Sequence, residues 1–364
     1  MRVLIASGGS GGHIFPAVAL AKELESEGLD IIFVASRRKL DKKLLRSAPY
    51  KKIFLSANPM PYRLNLRVFI FLAKLISDSL HAIYLVKKYR PSVVVGFGGY
   101  TSGAVILMAK LMRIETIIHE QNLVPGRTNK FLDKLANKVT VSFPEGRRYF
   151  SNKNVIFTGN PLRKESLTEC REKAFTSLGL DRNKMVILVM GGSQGAKSLN
   201  KLVSKSVSGL SDAKKESIQL IHIAGVGNTD DIQKIYKENG IQGMVFEFVG
   251  NINEAYSACD LAISRSGAAA IFELAAFSKP MILIPYPNIK NNQRFNAEFF
   301  AEKGAAVYRD EKNLSVEKLK GIIDELIDSP AKRQALSANA KRLSVIDGVE
   351  RLKEEILKTL NSKP

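Results

Sequence analysis

Val3-Leu4-Ile5-Ala6-Ser7-Gly8-Gly9-Ser10-Gly11-Gly12-His13 carries an apolar run into a glycine-rich turn and then into a helical pattern. Strand, glycine turn and helix in that order begin a wound α/β unit, and this stretch decides how the rest is read. Glycines let the backbone turn tightly and approach a ligand, while the helix start presents unpaired N–H groups and a partial positive charge. Such a turn suits a phosphate, and it also suits a structural tight turn. His13 brings acid–base capacity near neutral pH, with simple helix capping as its alternative. The turn is not a GxGxxG fingerprint in strict register. Ala35-Ser36-Arg37 stands where a dinucleotide site would place an acid.

The pattern repeats outward. Val3–Ala6, Ile31–Ala35, Val93–Val95, Thr116–His119, Val139–Val141 and Val155–Phe157 read as strands, with helices at Pro16–Glu27, Ser102–Met112 and Arg127–Leu135. After a pause at Gly159-Asn160-Pro161-Leu162 it restarts. Strands are expected at Met185–Met190, Gln219–Ala224, Val245–Val249, Leu261–Ser264, Met281–Pro285 and Ala305–Tyr308. Helices are expected near Ala196–Ser208, Thr229–Glu238, Ala268–Phe277 and Gln293–Lys303, and Val316 to Leu360 is helical throughout. The chain of 364 residues is too long for one core. The expectation is an α/β protein of two Rossmann-like, doubly wound domains, 1–162 and 163–343. Ligands of such sheets bind beyond the carboxyl ends of the strands, which places substrates in a cleft between the domains.

Composition narrows the class. Two cysteines, Cys170 and Cys259, and four scattered histidines have no metal-ligand spacing, so neither a disulfide framework nor a structural metal is expected, and a reducing cytoplasm fits. Arg2–Ala6 runs straight into the glycine turn, so no signal peptide is expected. The apolar stretch Val68 to Val86 is interrupted by Lys74, Asp78 and His81, which argues for a helix that does not span a bilayer. The net charge of +20 is uneven: residues 1–162 hold 25 Lys+Arg against 10 Asp+Glu. That excess favours a polyanionic partner, nucleic acid or an anionic lipid surface, unless it reflects a general lysine and arginine bias.

Further motifs stand at strand ends. Gly96-Phe97-Gly98-Gly99-Tyr100-Thr101-Ser102-Gly103 is a second glycine cradle, with Thr101 and Ser102 as candidate N-caps or ligand contacts. His119-Glu120-Gln121-Asn122 sets four polar side chains at a strand's carboxyl end. His119 reads either as a core hydrogen-bonder or a site residue, and Glu120 and Asn122 as substrate-facing. Gly191-Gly192-Ser193-Gln194-Gly195-Ala196 repeats the cradle, where Ser193 suits a diphosphate. In Ser264-Arg265-Ser266-Gly267-Ala268-Ala269-Ala270-Ile271-Phe272-Glu273, the acid suits a ribose diol or is an ordinary surface glutamate. Pro285-Tyr286-Pro287 to Asn291-Asn292-Gln293 places amides to read sugar hydroxyls. No DxD-type acidic pair ends a strand, so neither a metal nor a cofactor is expected. Helix starts and Arg163 would then neutralise a leaving diphosphate.

Seven motifs in this order, over nearly the whole chain, resemble the MurG family of transferases. They are GGxGGH at Gly8–His13, GxGGYxSG at Gly96–Gly103, HEQN at His119–Asn122, GNPLR at Gly159–Arg163, GGSQGA at Gly191–Ala196, SRSGA at Ser264–Ala268 and PYP…NNQ at Pro285–Gln293. The resemblance implies the GT-B fold and transfer of N-acetylglucosamine from UDP-GlcNAc, a substrate rather than a cofactor, to lipid I with inversion. It implies a C-terminal half that binds the donor: Val249 against the uracil, Glu273 on the ribose, Ser193 and Ala268–Ala270 by the phosphates, and Gln293 on the sugar. Arg163 would sit at the cleft. Ser10, Gly11, Gly12 and Asn122 would meet the donor sugar. Gly8, Gly9, Gly98, Gly99, Tyr100, Thr101 and Ser102 would face the acceptor diphosphate, and the last helix, 344–364, would pack back on the first domain. His13 is the expected base, with Glu120 as alternative or partner.

Three departures touch donor contacts: Ser10 and Ala270 where many members have Thr, and Asn292 where many have His or Gln. The resemblance also implies a peripheral place on the cytoplasmic face of the cell membrane and the company of cell-wall and division proteins, without nucleic acid. Arg37, Arg38, Lys39, Lys42, Lys43, Arg46, Lys51 and Lys52 would supply the basic attraction. Phe69, Phe71, Leu72, Leu75 and Ile76, flanked by Arg63, Arg67 and Lys74, would supply apolar insertion or else core packing. Three rivals remain: another GT-B glycolipid transferase, a nicotinamide oxidoreductase weakened by the missing acid, and a nucleic-acid binder with no recognisable module.

Overall fold

Seven strands in the first part of the chain make one sheet: β1 (Arg2–Ala6), β2 (Asp30–Ser36), β3 (Lys51–Leu55), β4 (Val93–Gly96), β5 (Glu115–Glu120), β6 (Lys138–Val141) and β7 (Val155–Phe157). All pairs are parallel, in the order β3-β2-β1-β4-β5-β6-β7. Six more follow: β8 (Met185–Met190), β9 (Ile218–Ile223), β10 (Gly243–Phe246), β11 (Leu261–Ser264), β12 (Met281–Leu283) and β13 (Val307–Tyr308). They are also parallel, in the order β10-β9-β8-β11-β12-β13. Both are doubly wound, Rossmann-like sheets, with the strand order reversing beside β1 in one and β8 in the other. The computed structural model describes residues 1–57, 66–163, 167–168, 170–192, 196–287 and 292–362. The chain divides into two compact units, Met1–Arg163 with Ile346–Pro364, and Lys164–Val345.

Parallel strands covered on both faces read as unbroken apolar runs because alternate residues feed two cores. In β1, Val3 and Ile5 join one cluster with Leu20, Phe33 and Val95, while Leu4 and Ala6 join another with Val34, Val94 and Ile106. The helix Gly348–Asn361 belongs to the first unit. Its Val349, Leu352, Ile356 and Leu360 are buried in the same cluster as Leu20 and Leu24. Each such aliphatic side chain contributes about 1.5–3 kcal/mol on full burial. Lys138–Glu355 at 2.7 Å and Lys353–Glu27 at 2.6 Å flank the seam.

Several element boundaries differ from the reading of the sequence. The first helix is Gly11–Glu25 and contains Pro16, which does not begin it. The second glycine motif is already helical from Gly99, so the helix Gly99–Leu111 starts three residues before Ser102. β10 ends at Phe246, leaving Val249 in the following loop, and Pro285 lies beyond β12. β3 has no counterpart in the sequence reading. Its Lys51 and Lys52 look like surface cations, and an edge strand tolerates them because charge there discourages pairing with another chain.

Candidate active site

In the first unit the two glycine motifs meet around His13. Its Nδ1 lies 3.0 Å from the Gly8 carbonyl and 3.4 Å from Ser10 Oγ. A carbonyl only accepts, so this contact assigns the proton of the neutral ring to Nδ1 and its lone pair to Nε2. The second motif closes on the other side: a Cβ on Gly98 would stand 3.4 Å from Nε2, and one on Gly99 would meet the Gly8 oxygen at 2.5 Å. Gly98 and Gly99 also take φ values of +81° and +76°, which only glycine adopts readily. Ser10 caps the first helix without a side-chain bond, so its hydroxyl does not cover the N–H groups at Gly11 and Gly12 that begin the helix.

The structure corrects part of the diphosphate expectation. The Gly9 N–H donates to Asp41, at 3.1 Å to Oδ1 and 3.0 Å to Oδ2, so it is not aimed outward. Ser102 is fully buried and its hydroxyl donates to the Gly98 carbonyl, neither capping the helix nor facing a ligand. Thr101 is buried too, its hydroxyl near Gly8. Tyr100 is the exposed member of that triplet.

At the end of β5, side chains alternate inward and loopward. His119 is fully buried between Thr140 Oγ1 at 3.0 Å and Ser142 Oγ at 3.1 Å, and burial pushes it down to about 3. It is a core histidine. Glu120 is buried as well, and its carboxylate accepts from Asn122 N (2.9 Å), Asn122 Nδ2 (3.1 Å), Gly126 N (3.0 Å) and Asn129 Nδ2 (2.9 Å). Both oxygens are taken up in bracing the loop, which corrects its reading as a substrate-facing group. Asn129 also donates to the His119 carbonyl at 3.0 Å, and its Oδ1 is buried without a partner. Gln121 donates to the Phe97 carbonyl at 3.2 Å. Arg163 belongs to this unit, its guanidinium 5.1 Å from the Phe15 ring centroid.

The second unit gathers its own strand ends. Gln293 Oε1 accepts from Tyr286 N at 3.1 Å, and its backbone carbonyl accepts from Ser266 Oγ at 2.8 Å. The helix Ala268–Ala276 starts at Gly267 without a side-chain cap, so Ala268, Ala269 and Ala270 present backbone N–H groups at its first turn. Glu273, half-buried, accepts from the Tyr256 hydroxyl at 2.8 Å. Val249 is half-buried in the loop after β10. Ser193, Gln194, Gly195 and Asn291 lie outside the described residues.

Sequence reasoning missed the residues that hold these loops. Arg265 is buried, donates to the Ile284 (3.1 Å) and Pro285 (3.0 Å) carbonyls and Ser198 Oγ (3.1 Å), and pairs with Glu311. Asn296, fully buried, donates to the Ser266 carbonyl at 3.2 Å. Asp41 is the lone acid in the basic run from Arg37 to Lys52. Its register five residues after Ser36, where helix follows strand, was the available signal.

Outside the loops, the helix Leu66–Tyr89 exposes Phe69, Ile70, Leu72, Ile76, Leu80 and Tyr84, while Ala82, Leu85 and Val86 face the core. Leu75 is half-buried; the side chains of Arg67 and Phe71, and the whole of Arg63, lie outside the described residues. Positions 69, 72, 76, 80 and 84 form one helical stripe. Arg37, Arg38, Lys39, Lys42, Lys43, Arg46 and Lys51 are exposed in the same unit. Among the described residues no helix is long and apolar enough to cross a membrane, and no group of three or more His, Cys, Asp or Glu converges to hold a metal.

Residues 3–141 match the glycosyltransferase family 28 N-terminal domain, and residues 186–352 match its C-terminal domain. Two doubly wound units bearing these domains define a GT-B glycosyltransferase. Across its full length the chain is 34% identical, over 367 residues, to the UDP-N-acetylglucosamine–N-acetylmuramyl-(pentapeptide) pyrophosphoryl-undecaprenol N-acetylglucosamine transferase of Flavobacterium psychrophilum, covering 98% of that protein. It is 35% identical over 355 residues to the enzyme of the same name from Desulfotalea psychrophila, covering 96% of this chain and 95% of that one. The crystal structure of Acinetobacter baumannii MurG superposes with a TM-score of 0.78 at 25% identity, over 98% of this chain and 99% of that one. The chain belongs to this family of N-acetylglucosamine transferases.

Proposed function

We propose that the chain moves N-acetylglucosamine from UDP-GlcNAc to the C4 hydroxyl of the muramyl sugar in lipid I, undecaprenyl-pyrophosphoryl-MurNAc-pentapeptide, and so makes lipid II. The observation that carries this reading is the likeness along the whole chain to transferases of that name, with both family domains in order. The reaction is a single inverting displacement. The acceptor oxygen attacks the anomeric carbon, the bond to the diphosphate oxygen breaks, and UDP leaves with the electron pair.

His13 Nε2 takes the hydroxyl proton. It is favoured over Glu120 because its lone pair is available, whereas all four contacts of Glu120 are N–H donors from its own loop. Ser10, Gly11, Gly12 and Asn122 meet the donor sugar, and the acceptor diphosphate lies by Gly98, Gly99 and Tyr100, not at the Gly9 amide. In the second unit Val249 lies by the uracil, Glu273 binds the ribose, Gln293 the sugar, and Ser193 with the Ala268–Ala270 amides holds the diphosphate. Arg163 and the helix starts offset the charge of the leaving UDP, with no obligatory metal.

The enzyme docks peripherally on the cytoplasmic face of the cell membrane, where other cell-wall and division proteins work. The exposed stripe Phe69–Tyr84 and the cations from Arg37 to Lys52 support this. The test is transfer by purified protein, with UDP-GlcNAc, UDP-glucose and UDP alone against a lipid I analogue. The reading requires a β-1,4-linked disaccharide from UDP-GlcNAc, with EDTA changing the rate less than about twofold. Absence of transfer, or an α-linked product, contradicts it.

A further inference from the structure

The peptide that joins Gly8 to Gly9 is held at both ends. Its carbonyl accepts the Nδ1 proton of His13 at 3.0 Å, and its N–H donates to both carboxylate oxygens of Asp41. A trans amide points its C=O and N–H in opposite directions, so Asp41 and His13 flank one peptide plane. Asp41 is fully buried on the helix Lys39–Leu44, and Ser36 gives its Oδ2 a backbone N–H at 3.2 Å and a hydroxyl. Burying a carboxylate is costly, and neutral partners would have served Ser36 alone.

Three glycines allow this arrangement, and they come from both glycine motifs. A Cβ on Gly8 would lie 2.6 Å from Asp41 Oδ2, and Gly9 takes φ +91°. A Cβ on Gly99 would lie 2.5 Å from the Gly8 oxygen, the atom that receives the His13 proton. The glycines protect one peptide and its two partners.

We propose that Asp41 is a positioning residue for His13 and acts through the Gly8–Gly9 peptide. The carboxylate polarises the amide, so its carbonyl holds the imidazole proton on Nδ1 and keeps the lone pair on Nε2. When Nε2 accepts the hydroxyl proton, the same polarised carbonyl stabilises the imidazolium. No proton reaches Asp41: the transferred one stays on Nε2 and the original one on Nδ1. The inference rests on the assignment of His13 as base.

The test uses the full chain with nitrogen-labelled histidine, in which two-bond N–H correlations report the protonated ring nitrogen, assigned by loss of the signal in His13→Gln. The wild type is expected to show the Nδ1–H tautomer. Asp41→Asn is expected to shift population toward Nε2–H and to lower kcat for transfer about 10–100-fold, with donor KM within about twofold, and Asp41→Glu to recover part of both. An Nε2–H tautomer in the wild type overturns the proposal even if Asp41→Asn does not fold. A fall in kcat with the tautomer unmoved marks a merely structural role and overturns it, as does a moved tautomer with kcat unchanged, or no change in either. The base assignment fails separately: near-normal turnover in His13→Gln removes it whatever the tautomer. An inactive His13→Gln beside an unaltered Asp41→Asn removes the relay alone.

Discussion

The two units share one local device, a strand that ends in a glycine turn and a helix, yet they brace it with opposite charges. In the first unit the buried carboxylates of Asp41 and Glu120 accept from the N–H groups of the loops. In the second the buried guanidinium of Arg265 donates to the carbonyls at Ile284 and Pro285 and pairs with Glu311. The Gly9 amide, taken up by Asp41, is closed to a diphosphate, while the turn that Asp41 holds frames His13. A loop whose carbonyls are held by a guanidinium keeps the N–H groups at the neighbouring helix start for an anion. A glycine turn therefore reports close approach, and its buried neighbours report what approaches.

The largest effect that could break this contrast is at His13. His13→Ala should lower kcat by about 10²–10⁴-fold in the transfer assay. Turnover within a few-fold of wild type would mean the acid-braced loop holds no base. Next is Arg265→Met, which leaves the half-buried Glu311 without its cation. Thermal and urea unfolding should show a loss of about 3–5 kcal/mol, and a loss below about 1 kcal/mol would remove the brace from the account.

A smaller, graded effect concerns the two buried histidines, one in each unit. Burial lowers both His119 and His222 to about 3, so below the unfolded value near 6.5 the unfolded chain binds more protons than the folded one. Their contribution is present above that unfolded value and is lost as pH falls from about 6.5 toward 3, at up to about 1.4 kcal/mol per pH unit for each histidine. Stability measured from pH 7 to pH 4 should fall, and His222→Gln should flatten the slope. An unchanged slope would contradict the burial argument. The smallest effect sharpens the surface contrast. Ile76→Asp with Leu80→Asp should weaken sedimentation with anionic vesicles by at least about tenfold while leaving UDP-GlcNAc affinity intact, since full burial of each side chain is worth about 1.5–3 kcal/mol and even half of that for the pair reaches the ~1.4 kcal/mol of a tenfold change. Undiminished binding would move the docking surface elsewhere.

How much of this was legible depended on whether the cause was local. β8 and β11 could be read to the residue because buried parallel strands are continuous apolar runs. β3 could not, since Lys51 and Lys52 are permitted by its edge position, which is a property of the whole sheet. The motifs named the segments that meet around His13 and around Gln293. They did not give direction: Ser102 and Glu120 carry ligand-like groups that turn to the backbone. Asn129 and Arg265 act across turns that bring distant residues together, so nothing in their immediate neighbours marked them, whereas Asp41 stands only five residues from Ser36, its hydroxyl partner.

The proposed division of labour gives the base to the first unit and the donor site to the second. Calorimetric titration of UDP-GlcNAc into wild type, His13→Ala and Glu273→Gln tests it most directly. The account requires His13→Ala to bind the donor with wild-type affinity while turnover is lost, and Glu273→Gln to bind it at least about tenfold more weakly, as loss of a charged hydrogen bond of about 1.5–3 kcal/mol implies. Loss of donor affinity in His13→Ala, with Glu273→Gln unaffected, would contradict it.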